Sequence, residues 1–299
     1  MKEIANKLRL IYKPFVLIAI GFILTYTFLH WILFIKAGIS LKEEVIKYWL
    51  PFVLIWIPIL IYLRPRIKLL HFNHYDTSFF YLALASFAIA IPTIISQEYL
   101  ITATGKLTEL DNVYQISQYD KTKFYSLKNY HISKQFIAIH TTQKTVHTKG
   151  IGNKYLTVSI YIAMPILENN MDIIKFENKY WLGKKYQESI DDSFFSVLSD
   201  KEKKEKYNLF LEKSLTDFLK TDFDKFTYLE VIGNTIDHDE YNNALKKFGR
   251  NLTDDSMVFE AKIGCFEARN DKKRFWFFCS LGIGLLTYFV FLLFHKIKE

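Results

Sequence analysis

A cluster of three potential metal ligands lies between two apolar segments of the chain. His71, His74 and Asp76 fall within six residues of one another. Imidazole and carboxylate groups bind zinc, but a zinc site normally takes a further ligand from elsewhere in the fold. Polar residues of this kind are also common in the short loops that join membrane helices. We therefore predict no metal and no other cofactor, with His71, His74 and Asp76 as weak candidates for a metal site.

A second cluster of potential ligands is the acidic run Asp237-His238-Asp239-Glu240. Its carboxylates are of the type that binds calcium, but the run lacks the glycine and the ligand spacing of a calcium-binding loop. Acidic residues also favour the first turn of a helix, where they interact with the helix dipole. We therefore interpret the run as the start of a helix.

The common catalytic motifs are absent from the sequence. There is no Gly-x-Ser-x-Gly nucleophile elbow, no His-Glu-x-x-His zinc helix, no Cys-x-x-Cys pair and no Gly-x-x-x-x-Gly-Lys phosphate loop. Gly150-Ile151-Gly152 begins like a dinucleotide-binding loop. It lacks the third glycine and joins two predicted strands, which is typical of a hairpin turn. We predict no catalytic residue.

Two cysteines and one histidine inside an apolar segment are further reactive side chains. Cys265 falls in a predicted strand and Cys279 in an apolar segment, so we expect no disulfide between them. Cys265 is expected to be a small core residue. His30 lies within the first apolar segment, where a proton relay would need an acidic partner at similar depth, and no segment supplies one. We interpret His30 as a packed or interfacial residue.

Four apolar segments have the composition of membrane helices. They are Pro14–Ile35, Trp49–Leu63, Phe79–Ile95 and Phe275–Phe294. None contains Asp, Glu, Lys or Arg, and about 20 apolar residues cross a hydrocarbon core. The middle two are shorter and contain prolines, so they would be kinked or tilted, or would be buried helices of a soluble core. The first is too long for a signal peptide and has no small-residue cleavage site after it.

The net charge of +8 is concentrated around these apolar segments. Residues 1–96 carry ten basic and four acidic side chains, whereas residues 97–274 carry 27 and 26. Binding of nucleic-acid phosphates needs a basic face, which a nearly balanced region does not supply. Charges that flank apolar segments instead set the orientation of membrane helices. We therefore exclude nucleic acid as a partner and expect the lipid bilayer.

Lysine and arginine residues in the short loops predict the orientation, because cytoplasmic loops carry an excess of them. Residues 1–13, 64–68 and 296–299 hold four, three and two, and the loop 36–47 holds three. We expect both termini in the cytoplasm and residues 97–274 outside it. Under this arrangement the basic residues Lys272–Arg274 lie outside the cytoplasm, which the same rule disfavours.

The region between the third and fourth apolar segments is predicted to be an α+β domain. Alternating apolar and polar residues predict strands at about 100–107, 136–146, 155–164, 226–232 and 257–268. Ser199 and Glu202 form a capping box before one helix, and Gly249 ends a second over 239–248. The order of elements favours a mainly antiparallel sheet. The predicted organisation is three membrane helices in 1–96, this domain in 97–274, and a last membrane helix with a short tail in 275–299.

Small residues on the third apolar segment predict close helix packing. Ser86 and Ala90 are four residues apart, with Ala83 nearby, and such spacing lets helices approach closely. The contact joins helices either within one protomer or between protomers. Oligomerisation through the membrane helices therefore stays open.

Two segments resemble a group of known membrane proteins. At Tyr180–Lys184 and Tyr228–Tyr241 the chain resembles the N-terminal portion of Bacteroidota proteins, some labelled rhomboid-family, over about residues 75–270. The resemblance implies an envelope location in a Gram-negative bacterium. It implies no protease activity, because rhomboid proteases need a serine in Gly-x-Ser-Gly on one of six spans and a histidine on another. Here Ser280 is preceded by Cys279, and only four spans are predicted.

These observations favour a non-enzymatic protein of the bacterial inner membrane whose periplasmic α+β domain binds another envelope or membrane protein. One alternative is a membrane-surface enzyme or enzyme subunit, which a pocket lined by residues of perturbed pKa would favour. The other is a sensor whose soluble domain gates the membrane helices, which requires that domain to be cytoplasmic. A flat, tyrosine-rich surface would favour the binding protein.

Overall fold

Two units with separate hydrophobic cores make up the chain. The computed structural model describes residues 2–72, 75–147, 154–169, 178–191, 200–249 and 256–297. The first unit, here called the spanning unit, comprises Met1–Gly105 and Glu267–Glu299, and the second, the sheet unit, comprises Lys106–Phe266. The boundaries differ from the predicted domain at 97–274 because the flanking helices continue past the apolar segments into polar sequence.

Four helices of the spanning unit are long and apolar enough to cross a membrane. Span 1 is Glu3–Lys36, span 2 is Val45–Ile67, span 3 is Thr77–Thr104 and span 4 is Glu267–Leu293. They contain the first three predicted apolar segments and all but the last residue of the fourth, and they extend into neighbouring polar residues, where helical backbone hydrogen bonding continues. The unit is thus compatible with a membrane protein.

Spans 1 and 2 are interrupted by π-helical turns, whereas span 3 is one α-helix, Tyr75–Thr104, that includes Pro92. Span 4 consists of a 3₁₀ turn, Glu267–Asn270, and the α-helix Asp271–Leu293. In span 1 the α-helical parts are Lys2–Lys7 and Lys13–His30, with π turns at Leu8–Tyr12 and Trp31–Lys36. In span 2 they are Leu50–Leu54, Trp56–Pro58 and Arg64–Ile67, with π turns at Val45–Trp49 and Ile59–Leu63.

One apolar core holds the four spans together. Its fully buried side chains recur every three to four residues, as helix geometry requires for a continuous face. They include Ile11, Phe15 and Ala19 of span 1, Ile55, Ile59 and Leu63 of span 2, Tyr81, Ala85 and Ile89 of span 3, and Tyr288 and Leu292 of span 4. Ser86 and Ala90 are also buried, so these small residues pack helices within the protomer.

Within its described residues, the sheet unit contains eight strands in one sheet with the order β1-β2-β7-β8-β6-β5-β3, and β4 also pairs with β5. The strands are β1 Leu107–Leu110, β2 Phe124–Leu127, β3 His131–Ile132, β4 Ala138–His147, β5 Lys154–Leu167, β6 Tyr180–Asp191, β7 Tyr228–Val231 and β8 Met257–Lys262. The helices described in this unit are α1, Asp200–Lys220, and α2, Ile236–Lys247, with a 3₁₀ turn at Val113–Gln118.

The sheet is mixed, which corrects the prediction of a mainly antiparallel sheet. β1 pairs with β2, and β6 with β8, in parallel. An alternating pattern identifies a strand but not its direction. The connections between these partners are long enough for a crossover, which a parallel pair needs and a hairpin does not.

The two helices of the sheet unit contribute to separate apolar clusters on opposite faces of the sheet. Val158, Ile160 and Ile162 of β5 share a cluster with Phe210 and Phe218 of α1. The alternate residues Tyr161 and Ala163 share a second cluster with Tyr241, Ala244 and Leu245 of α2. Because successive strand side chains point to opposite faces, β5 is buried on both sides.

Several predicted elements end elsewhere in the structure. Residues 100–104, predicted to be a strand, belong to span 3, and β8 ends at Lys262 rather than at 268. The helix predicted over 239–248 is present as α2, and Gly249 after it has a φ of 76°. The capping residue Ser199 and the predicted turn at Gly150-Ile151-Gly152 lie outside the described residues.

Candidate functional site

Of the three weak metal-ligand candidates, only the His71 side chain lies within the described residues. His71 is exposed, and its backbone N–H donates to the Lys296 carbonyl at 2.8 Å. His74 and the side chain of Asp76 lie outside the described residues. Throughout the described ranges, no three or more His, Cys, Asp or Glu side chains are grouped closely enough to hold a metal ion.

The acidic run begins helix α2, as predicted, but it is the preceding Thr235 that caps the helix. The Thr235 hydroxyl accepts from the His238 backbone N–H at 3.1 Å. Asp237 instead faces the sheet, where its Oδ1 accepts from the Tyr161 hydroxyl and from the Lys185 Nζ, each at 2.8 Å. This carboxylate therefore connects the first turn of α2 to β5 and β6.

Glu240, one turn further along α2, makes a second set of contacts with strand β4. Its Oε2 lies 3.3 Å from His140 Nε2, and its Oε1 lies 3.3 Å from Lys144 Nζ. Asn243 Nδ2 donates to the same carboxylate at 3.1 Å. Strand register explains the arrangement, because His140 is directly opposite Tyr161 and Tyr161 is directly opposite Lys185.

The tyrosines of this cluster remain protonated at neutral pH. Burial raises the pKa of the Tyr161 hydroxyl, and its hydrogen bond to Asp237 and the charge of that carboxylate raise it further. Burial likewise raises the pKa of Tyr241, with a contribution from the Asp237 charge. Tyr161 is thus a hydrogen-bond donor to a carboxylate that a lysine neutralises. The cluster attaches α2 to the sheet.

A glycine allows α2 to pack closely on β6. An added Cβ at Gly183 would lie 2.7 Å from Cζ of the Tyr241 ring, which is closer than carbon atoms approach in real structures. Tyr241 also contacts Tyr161 edge-to-face, with ring centroids 5.3 Å apart. The aromatic ring therefore occupies the space that a side chain at position 183 would take.

The opposite face of the sheet carries a cleft of about 600 Å³ between α1 and β6. Tyr186, Gln187 and Glu188 line it from the strand. Residues of α1 line the other wall, among them Phe210, Lys213, Ser214, Asp217 and Lys220. Burial, and then the negative charge of Asp217, raise the pKa of Tyr186 to about 12. The cleft combines aromatic surface with amine, hydroxyl and carboxylate groups.

A polar network is buried between spans 1 and 3. His30 Nδ1 lies 2.6 Å from Gln97 Oε1, and the two side chains are only 3% and 0% exposed. Gln97 Nε2 donates to Thr27 Oγ1 at 3.2 Å, to Ser96 Oγ at 2.8 Å and to the Thr93 carbonyl at 3.1 Å. The amide thus satisfies its hydrogen bonds where water is excluded, which apolar surroundings demand.

Further contacts place the C-terminal end of span 1 beside the N-terminal end of span 2. The Tyr26 hydroxyl donates to the Ile46 carbonyl at 2.6 Å. The C-terminal part of span 3 lies at the same end, because the Tyr48 hydroxyl donates to Glu98 Oε1 at 3.0 Å. The side chains of Thr102 and Asn270 join spans 3 and 4 there at 2.5 Å.

The opposite end of the spanning unit has its own polar contacts. Lys7 is buried, 3.3 Å from Glu3 and 3.4 Å from the Leu293 carbonyl at the end of span 4. The Tyr81 hydroxyl lies 2.7 Å from His295 Nδ1. Leu70 forms an isolated β-bridge with Ile297. Both described ends of the chain are therefore at this end of the unit, and neighbouring spans run in opposite directions.

The cysteines form no disulfide. Cys265 is exposed in the segment after β8, so the prediction that it is a small core residue is wrong. The physical reason is the early end of β8, which leaves Cys265 outside the sheet. Cys279 is half-buried within span 4.

Most partners in these networks were not predictable from local pattern. Gln97 lies two residues beyond the predicted third apolar segment, and it is an amide rather than the acid that a proton relay through His30 would need. Lys185 and His140 meet α2 only through the register of three strands. Gln97 lies four residues after Thr93 and therefore on the same face of the helix. This spacing is a signal that could have identified Gln97.

Comparison with known proteins adds no relative. A scan against protein-family models, a search of curated proteins and a search of solved structures each find no match to this chain.

Proposed function

We propose that this chain is a multi-pass protein of the bacterial inner membrane whose sheet unit binds a partner protein or another envelope component without catalysing a reaction. The cleft between α1 and β6 is the observation that carries the proposal. Its volume of about 600 Å³ suits a ligand, and its Lys213, Asp217 and Lys220 are exposed. Binding sites combine aromatic surface with a few polar groups in this way.

Charge compensation in the α2 cluster supports binding over catalysis. Asp237 accepts from Lys185, and Glu240 lies beside Lys144 and His140. A general base needs a group whose proton affinity is matched to the working pH. Tyr161 does not meet this condition, because its raised pKa keeps the hydroxyl protonated.

The membrane location and orientation rest on charge and helix direction. The four apolar helices alternate in direction, which brings both described ends of the chain to one end of the spanning unit. The basic residues of 1–13 and 64–68 lie at that same end and favour the cytoplasm. The sheet unit then lies in the periplasm. The resemblance at Tyr180–Lys184 and Tyr228–Tyr241 supports the envelope of a Gram-negative bacterium.

Extraction and reporter fusions test this proposal. Alkaline carbonate should leave the protein in the membrane pellet, and release into the supernatant would contradict it. A periplasm-active reporter should be active after Asn170 and silent after Glu299. A fusion after Gly38 is a matched control, because four spans place that loop on the same side as residue 170.

The reverse reporter pattern would favour the sensor whose soluble domain gates the helices. The buried network around His30 and Gln97 is the observation that would support such a sensor, because polar groups inside membrane segments are often functional. The two functions differ in the side of the membrane on which the sheet unit lies, so one set of fusions separates them.

A further inference from the structure

Among the described residues, strand β6 has an open edge along most of its length. β5 pairs with β6 over Trp181–Asp191, whereas β8 pairs with it only over Tyr180–Gly183. From Lys184 onward, no strand among the described residues covers the outer edge of β6. Backbone N–H and C=O groups on such an edge can pair with an added strand.

The cleft opens at this edge. Successive side chains of a strand point to opposite faces of its sheet. Nevertheless, the consecutive residues Tyr186, Gln187 and Glu188 all line the cleft. Contact with three consecutive residues means that the cleft also touches the backbone of β6, and none of the described lining residues belongs to β5, so the cleft lies toward the side of β6 away from β5. The cleft is therefore a groove with the edge of β6 as one wall and helix α1 as the other.

The helical wall carries a pattern of alternating charge. Lys213, Asp217 and Lys220 lie on one side of α1 and all line the groove. Lys213 and Lys220 are seven residues apart, which is about 10 Å along a helix. Extended-chain side chains on one face recur about every 6.7 Å. The two acidic side chains of an acidic-x-basic-x-acidic extended peptide are about 13 Å apart, and the long lysine side chains span the difference of about 3 Å, so the peptide side chains meet these three groups in the same order.

We propose that the open edge of β6 and helix α1 together bind an extended peptide segment of a partner protein by strand addition. The segment pairs its backbone with β6 and directs a Glu-x-Lys-x-Glu pattern toward α1. This mode obtains affinity from main-chain hydrogen bonds and specificity from alternate side chains. Phe210 and the Tyr186 ring supply the apolar surface beneath the peptide. The inference rests on the proposed binding function and names its partner class.

A defined peptide tests the proposal with the full-length protein in detergent. The probe is acetyl-Val-Glu-Val-Lys-Val-Glu-Val-amide with a fluorescent label, measured by anisotropy. Binding should be saturable below about 1 mM and weaken at least about tenfold in the Lys213→Glu/Lys220→Glu variant. The Lys201→Glu/Lys204→Glu variant is the matched control, because it makes the same charge change on the same helix outside the groove. It should bind as the wild type does.

Backbone methylation tests the strand pairing separately. Two further peptides carry N-methyl groups at odd or at even positions, and alternate N–H groups of a strand point to opposite sides. One of them should lose binding by at least about tenfold while the other keeps it.

Absence of saturable binding, equal binding by both lysine variants, or equal binding of both methylated peptides would each overturn the proposal. Orientation in the membrane does not affect peptide binding in detergent. A negative peptide-binding result is therefore distinguishable from a contradictory result of the reporter fusions.

Discussion

At the scale of single residues, His30 and Gln97 show how the spanning unit accommodates polarity. Each side chain would be costly alone in an apolar environment, and together they form a hydrogen bond of 2.6 Å. Thr27 and Ser96 complete the amide's contacts. The pair therefore fixes the relative position of spans 1 and 3 at one end of the unit.

A double-mutant cycle should measure this coupling. We expect His30→Ala and Gln97→Ala each to destabilise the protein, and the pair to be coupled by about 0.6–2 kcal/mol, the range of interhelical hydrogen bonds in membranes. Thermal unfolding of detergent-solubilised protein provides the measurement. Phe28→Ala, at an exposed position of the same helix, is the control. Additive effects of the two substitutions would show that the hydrogen bond does not hold the spans.

The buried tyrosines of the α2 cluster predict loss of stability at alkaline pH. Their pKa values are raised in the folded state, so the native protein holds more protons than the unfolded chain above about pH 10. Stability therefore falls as the pH rises through that range. Tyr161→Phe should flatten this decline. Chemical denaturation of both proteins at several pH values from about 9 to 11 tests it, and parallel curves would contradict it.

The sequence could predict part of this cluster. An acidic run before an amphipathic segment is a local signal, and it predicted a helix from Asp239, three residues after the observed start of α2 at Ile236. The partners Lys185 and His140 depend on strand register and on which face α2 covers. No local pattern encodes these, so the cluster itself could not be predicted.

At the scale of elements, spans 3 and 4 approach closely at Gly284. This glycine lies against a backbone carbonyl of span 3 that lacks the usual donor four residues later in its helix. Pro92 has no N–H, so it cannot donate to the carbonyl of Ala88 four residues earlier. That carbonyl is the atom closest to the position that a Cβ at Gly284 would occupy, at 2.8 Å. A glycine at 284 therefore lets span 4 lie against the backbone of span 3.

Two glycines of span 4 provide a matched pair of substitutions. Gly284→Ala should cost about 1–3 kcal/mol because the methyl group has no space against Ala88. Gly282→Ala should be neutral or slightly stabilising, because nothing lies within 4 Å and alanine favours helix. Denaturation in mixed detergent micelles compares them. Equal stability of both variants would show that spans 3 and 4 do not pack closely.

Strand and helix positions were more predictable than their arrangement. The alternation over 155–164 identified β5, although clusters on both faces of the sheet bury this strand on both sides. The parallel pairing of β6 with β8 was not predictable, since direction depends on the crossover through α1, β7 and α2. Span 3 also continues beyond its predicted end. Residues 96–104 include several polar side chains, so hydropathy alone does not show that the helix continues through them.

At the scale of the whole molecule, each unit has a core of its own. The buried cluster of the spanning unit draws on residues 11–292, and the main cluster of the sheet unit on residues 110–259, without shared members. We therefore expect the sheet unit to fold without the spans. The two cores are divided at 105 and 267, where the chain passes from one unit to the other.

Expression of residues 106–266 alone should give a soluble, folded domain. We expect a single cooperative unfolding transition and a monomeric elution volume in size-exclusion chromatography. The Gly183→Ala variant of this fragment should lose about 1–3 kcal/mol, because Tyr241 fills the space beside position 183. Aggregation of the wild-type fragment would show that the sheet unit needs the spans to fold.

The contact of Lys7 with the Leu293 carbonyl has a consequence for biosynthesis. The two residues are 286 positions apart, and His30 and Gln97 are 67 apart. At a translation rate of about 5–20 residues per second, His30 waits about 3–13 s for its partner and Lys7 about 14–57 s. During its interval, His30 of the proposed membrane segment lacks its partner Gln97. Ribosome stalling or premature termination after span 2 should therefore leave a nascent chain that membrane proteases recognise and remove.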